Sequence, residues 1–148
     1  DTTSTKASTS TASADQAWAG KFIAASNQPH DWLSTPDSTL WQGVDGVNNP
    51  CPTGFRIPTE TEWEGEIAKW AESGNKNSTG AYNSPLKLPV SGYRERSGNG
   101  GPIGVGLRGK YWSSSVSGGA SRSLSFMSDA SLGSTYRARG YAVRCIKD

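Results

Sequence analysis

The sharpest local instruction in this chain is the run Pro58-Thr59-Glu60-Thr61-Glu62-Trp63. Thr59 is a good N-cap, and Glu62, three residues on, completes a capping box. Glu60, Glu62 and Glu64 fall near the positive end of the helix dipole. Trp63, Ile67 and Trp70 recur at i, i+4 and i+7, which lines them up as one apolar stripe. Gly74 supplies a stop. The spacing predicts a helix over about 60–73 with a single face to bury. The rest of the chain must supply the layer that covers it.

After this helix the pattern changes to strands. Leu86, Leu88 and Val90 alternate with Lys87 and Pro89. Then come Tyr111–Ser115, Ser123–Met127 with Leu124 and Phe126 inward, and Tyr141–Ile146 with Tyr141, Val143 and Cys145 on one face. Long Gly/Ser segments lie between them, and Ser128–Arg139 reads as one such loop. Helices first and an antiparallel sheet afterwards make an α+β layout. Upstream, residues 17–25 (AWAGKFIAA) are expected as a short helix with Trp18, Phe22 and Ile23 on one side. Residues 26–58 hold eight Pro or Gly, a loop carrying the anchors Trp32 and Trp41. Residues 1–16 are Ser/Thr/Ala-rich without apolar periodicity. They are expected as a flexible tail or linker to a larger assembly, ahead of a single domain over 17–148.

The core must be built from few, large side chains. Only 33% of the 148 residues are hydrophobic, yet six are Trp and five are Tyr. Each buried aromatic removes ~150–250 Å² from water. Charge is uneven. Residues 1–92 carry 6 basic and 10 acidic side chains, and residues 93–148 carry 9 basic and 3 acidic, a balance of −4 against +6. The basic half suits an anionic partner or is simply a solvated face. Its interleaving of aromatic and basic residues is too sparse to favour nucleic acid. Two cysteines, Cys51 and Cys145, are too few for a disulfide scaffold or a zinc finger. Either they bridge, which points to an oxidising compartment, or they are two reduced, buried thiols. No stretch approaches the roughly 20 apolar residues of a membrane span, and no basic-then-apolar secretory segment opens the chain.

Several other motifs lack the partners that their chemistry needs. Gly104-Val105-Gly106-Leu107-Arg108-Gly109 fits the dinucleotide pattern, but Tyr111-Trp112-Ser113 after it reads as strand where a helix is required. Calcium takes roughly 6–8 oxygen ligands, and from Ser97 to Lys147 the only acidic residue is Asp129. Gln28-Pro29-His30-Asp31 is only a partial echo of a lectin calcium loop. No metal or cofactor is expected. His30 is the only histidine and no GxSxG elbow is present, so a serine-hydrolase arrangement lacks parts. Asn77-Ser78-Thr79 is a glycosylation sequon in a polar loop.

Four segments carry a family resemblance. They are Asn49-Pro50-Cys51-Pro52-Thr53-Gly54-Phe55-Arg56-Ile57-Pro58-Thr59 with Glu62-Trp63; Ser84-Pro85-Leu86-Lys87-Leu88-Pro89 with Gly92-Tyr93-Arg94; Tyr111-Trp112-Ser113-Ser114-Ser115; and Arg137 with Gly140-Tyr141-Ala142-Val143-Arg144-Cys145-Ile146. Together they resemble the Fibrobacter succinogenes major paralogous domain over roughly residues 40–148. The resemblance implies a C-type-lectin-like fold of the formylglycine-generating-enzyme type, with Cys51 and Cys145 as structural partners. It also implies kinship with variable proteins of diversity-generating retroelements, which vary a C-terminal segment (here about 108–144) and display it as a binding surface.

On that pattern the varied, ligand-binding positions are Ser123, Ser125, Met127, Ser131, Gly133, Ser134, Thr135, Tyr136, Arg139 and Tyr141. Arg122, Leu124, Phe126, Arg137, Gly140 and Val143 are scaffold, and Ser123, Ser125 and Met127 face outward. Between Ser113 and Ile146 there is no Lys, Glu, Gln or Trp. Codons varied at the two adenines of an AAC triplet cannot encode those four but readily give Ser, Gly, Thr, Tyr and Arg. Met127 does not fit that scheme. The implied function is binding of a protein or glycan on a target surface, without catalysis, from an extracellular, cell-surface or virion location. The alternatives are a non-diversified adhesive or structural module of the same family, and a formylglycine-generating-type enzyme using reactive cysteines.

Overall fold

The computed structural model describes residues 1–11 and 16–148. In chain order the elements are β1 (Thr2–Thr3), β2 (Phe22–Ile23), β3 (Phe55–Arg56), α1 (Glu60–Glu72), α2 (Ser78–Asn83), β4 (Tyr93–Arg94), β5 (Pro102–Ile103), β6 (Gly109–Ser117), β7 (Ala120–Phe126), β8 (Ala130–Thr135) and β9 (Ile146–Lys147). The architecture is α+β, one principal helix laid on a small antiparallel sheet.

α1 begins as its sequence dictates. The Thr59 hydroxyl accepts from the Glu62 amide at 3.3 Å, and the Glu62 carboxylate accepts from the Thr59 amide at 2.8 Å. Ser73 caps the other end, with Gly74 at φ +75 just beyond it. Trp63, Ile67 and Trp70 are buried. They pack with Ala81, Leu88, Tyr111, Leu124, Phe126 and Ala130 as the main core. Trp70 meets Phe126 edge to face at 5.7 Å, and Tyr111 stacks on Phe126 at 5.8 Å. Such aromatic pairs add about 0.5–1.5 kcal/mol beyond the area they bury.

β6, β7 and β8 form an antiparallel meander. Its register pairs Tyr111 with Leu124 and Leu124 with Leu132, all turned to α1. Successive residues on a strand face opposite sides, so Lys110, Trp112, Ser123, Ser125, Ser131, Gly133 and Thr135 share the other face. A two-residue turn at Gly118-Gly119 joins β6 to β7, with Gly118 at φ +57. Arg122 ties β7 to the start of α1, its Nε donating to Glu60 Oε1 at 2.7 Å.

The disulfide Cys51–Cys145 spans a sequence separation of 94. Beside it β3 and β9 pair antiparallel. Arg56 donates to both oxygens of Glu62 at 2.7 and 2.8 Å and to Asp148 at 2.6 Å, so the helix start and the last residue share one guanidinium.

Several expectations are corrected. Within residues 1–11, Thr2–Thr3 pairs in parallel with Phe22–Ile23, and Ala7 is buried against Trp18 and Leu33 while most of the other side chains are exposed. Residues 12–15 of the expected tail lie outside the described residues. Residues 17–25 form a turn and a short strand rather than a helix, because Gly20 at φ +67 breaks the turn and β1 offers a ladder. Leu86–Val90 is not a strand, since Pro85 and Pro89 lack donors and Lys87 sits at φ +51. Leu88 is nevertheless fully inward, its amide donating to Ala81 O at 3.1 Å. Ser128–Arg139 is not one loop but contains β8. Tyr141–Ile146 is not continuous strand: Gly140 and Ala142 make single bridges to Arg94 and Tyr111 before β9 begins. Asn77 is not in a loop but caps α2, accepting from the Thr79 and Gly80 amides at 2.9 and 3.3 Å.

Candidate ligand-binding face

The sheet face turned away from α1 carries most of the positions expected to vary. Ser125 and Ser131 are register partners, as are Ser123 and Gly133. Thr135 ends β8, and the turn after it brings back Tyr136, Arg139 and Tyr141. Trp112 forms the floor, and it is buried as a strand residue facing this side. Tyr141 stacks on Trp112 with centroids 4.7 Å apart and meets Tyr93 edge-on at 5.7 Å. Its hydroxyl is 3.2 Å from Thr135 Oγ1, which also accepts from Arg139 Nη1 at 3.1 Å.

Arg139 reaches further. Its Nε and Nη2 donate to the two Glu95 oxygens at 2.9 and 3.2 Å, the planar fork that suits a guanidinium. Burial works to raise the Glu95 carboxyl. Hydrogen bonds from Arg139 and from the Arg96 amide outweigh it, so Glu95 sits below the usual carboxylate range. Arg96 lies over the Tyr136 ring at 4.8 Å, and Arg139 is 5.9 Å from the same centroid. His30 meets that ring edge-on at 4.5 Å. Arg96 Nη1 is 3.2 Å from His30 Nδ1. The same nitrogen also lies 3.3 Å from Ala25 O, so a carbonyl oxygen and a guanidinium both approach it.

Lys110 stands at the centre of the face. It donates to Ser125 Oγ at 2.6 Å and lies 5.9 Å from the Tyr141 centroid. Burial first, then the charges of Arg108 and Arg139, push its ammonium below the ordinary lysine value. Next to the face a hollow of about 290 Å³ opens between Phe22, Trp32, Trp41 and Trp112, bordered by Arg139 and Gly140.

The ten expected positions do not behave alike. The exposed Ser131 and Tyr136 and the half-buried Ser125, Gly133, Arg139 and Tyr141 reach the face. Ser123, expected outward, is buried at 5% exposure, its hydroxyl donating to Gly133 O at 3.4 Å. It sits mid-sheet between Trp112 and Gly133, where flanking strands close over a small side chain. Thr135 is buried as well. Ser134 is exposed but on the α1 side, where its hydroxyl accepts from Arg122 Nη1 at 2.8 Å. Met127 is exposed beyond the end of β7.

Among the expected scaffold residues, Leu124 and Phe126 are core, and Arg137 is buried against Asp31 with Nη2 donating to Ser38 Oγ at 2.8 Å. A Cβ on Gly140 would come within 2.8 Å of the Phe22 ring, which explains its lack of a side chain. Val143, by contrast, is exposed. Sequence reasoning missed Tyr93, Glu95, Arg96 and Lys110. Strand alternation from Trp112 back to Lys110 was the available signal for the last; Glu95 and Arg96 gave none.

Among the described residues no three or more His, Cys, Asp or Glu side chains converge as metal donors, and no helix is long and apolar enough to cross a membrane. The glycines at 104 and 106 lead into β6, a strand. No protein-family model, curated protein or solved structure matches this chain.

Proposed function

We propose that this chain is a ligand-binding display protein of C-type-lectin-like fold, presented on a cell surface or virion, whose face at 123–141 is diversified to recognise varied targets. The carrying observation is the separation of the two sheet faces. Ser125, Ser131, Gly133, Tyr136, Arg139 and Tyr141 gather on one side, while Leu124, Phe126 and Ala130 fix the sheet to α1 on the other. Such a sheet accepts new outward side chains without repacking. Gly133 illustrates this, since a Cβ there meets nothing within 4 Å. Tyr136, Tyr141 and Arg139 on this face are of the residue types that carry most binding energy at interfaces. The formylglycine-generating alternative asks for reactive thiols, and Cys51 and Cys145 are joined to each other.

Sequencing the locus across many individuals of the source population tests this. Substitutions concentrated at Ser125, Ser131, Tyr136 and Arg139, with Leu124, Phe126 and Gly140 constant, are expected. Variation no greater than in α1 would remove the diversification. A fixed adhesive module of the same family is the second reading. It is favoured by Tyr141 and Arg139, whose stack on Trp112 and fork on Glu95 are lost on most replacements.

A further inference from the structure

We infer that the face carries a constant cationic subsite, built on Lys110 and Arg96, that selects partners presenting carboxylates: acidic segments of a target protein. This rests on the 123–141 face being the binding surface, but neither residue is among the positions expected to vary. Side-chain identity around them would change from copy to copy while the demand for negative charge stays.

The cations on this face outnumber what neutralises them. Arg96, Arg108, Lys110 and Arg139 meet one carboxylate, Glu95, and both its oxygens are taken by the Arg139 fork. Among the described residues Lys110 makes no ion pair; its one hydrogen bond is to the neutral Ser125 hydroxyl. Arg96 is likewise without a carboxylate on its side chain. Its Nη1 reaches only Ser26 O at 3.4 Å and the His30 nitrogen, and its Nε is buried with no partner. A half-buried ammonium and an incompletely bonded guanidinium are costly when left unpaired. Incoming carboxylates of an acidic segment would pair the Lys110 ammonium and the terminal nitrogens of Arg96, whose Nε itself is enclosed, and the partly desolvated setting makes the gain larger than at an open surface.

The aromatic residues argue against stacked ligands. Base or sugar recognition by stacking needs bare ring faces. Here Tyr136 has two guanidinium groups over it, and Tyr141 is laid on Trp112 with Lys110 close by. The rings hold the cations in place, and the cations are what a partner meets.

The test is binding of the full chain to poly-L-glutamate, heparin and single-stranded DNA at low and physiological salt. Poly-L-glutamate is expected to bind, less tightly as salt rises. Lys110→Gln and Arg96→Gln should each weaken it about tenfold, the loss of one charged hydrogen bond, while Lys110→Arg retains it. Lys69→Gln removes the same charge from α1, on the far side of the sheet, and should have no effect. Thermal melts establish that each variant is folded. Equal binding by K110Q, R96Q and K69Q would show general attraction and overturn the subsite. Tighter binding to heparin or DNA than to poly-L-glutamate, or none to any probe, would overturn the carboxylate preference. A library varied at Ser125, Ser131, Gly133 and Tyr136 separates the two readings. If it still yields binders when the subsite fails, the display function survives; if it yields none, that falls too.

Discussion

Gly109 and Gly133 sit on neighbouring parts of one sheet and are under opposite demands. A Cβ on Gly109 would come within 2.1–2.6 Å of three ring carbons of Phe126, which is itself buried at 1% exposure and cannot retreat. Gly109→Ala should destabilise by about 1–3 kcal/mol, the usual result of overpacking. Gly133→Ala or Gly133→Ser should stay within about 0.5 kcal/mol of wild type. Urea denaturation of the three proteins decides this, and equal losses at both sites would refute the division of faces.

Glu62 offers a pH test. The Arg56 fork is the main cause holding its carboxyl down, to about 2 from 4.5; burial opposes, and the Thr59 amide and hydroxyl assist. A group depressed in the folded state stabilises above its unfolded pKa and loses that contribution as pH falls toward the folded value. Wild type should therefore exceed Glu62→Gln in stability near neutral pH, and the gap should close between about 4.5 and 2. A constant gap down to the acid limit would contradict this.

Between elements, β7 is the one that decides both core and face. Leu124→Ala removes a wholly buried side chain between Tyr111 and Leu132 and should cost about 2–5 kcal/mol. Ser125→Ala, one residue on, removes a hydroxyl from the opposite face together with its hydrogen bond from Lys110, and should cost only about 0.5–1.5 kcal/mol. β7 and α1 were both legible in the sequence, because alternation and a capping box are local signals read over a few residues. β8 was not. Its residues are Ala, Ser, Leu, Gly, Ser and Thr, with no β-branched run, and it becomes a strand only because β7 offers it a ladder. The segment after Gly140 failed in the other direction. Tyr141, Val143 and Cys145 alternate as strand residues do, yet the segment finds only single bridges until β9. Of the candidate face, Ser125, Ser131, Tyr136, Arg139 and Tyr141 were legible, while Glu95 and Arg96 were hidden, since they reach it from a loop whose path no local pattern describes.

At the scale of the molecule, the bond between Cys51 and Cys145 closes a loop that contains α1, the meander and every residue of the candidate face except His30. Replacing both cysteines with alanine should lower stability by roughly 4–5 kcal/mol, the chain-entropy value for a loop near 100 residues. A reductant should reproduce the loss in wild type and do nothing to the double variant; matching denaturation curves with and without reductant in wild type would contradict this.

The same bond sets a path for mechanical load. Tension applied between residues 1 and 148 runs along the chain to residue 51, crosses the bridge, and leaves through residues 145–148. Residues 52–144 lie off that covalent path, and load reaches them through non-covalent contacts such as the β3–β9 pairing and the Arg56–Asp148 contact. Pulling would peel β1 from β2 and unpack Ala7 and Trp18 long before it stretched β7. Stretched between its ends, the domain would thus yield first at the β1–β2 pairing and the packing of Ala7 on Trp18, while the three-stranded sheet keeps its shape.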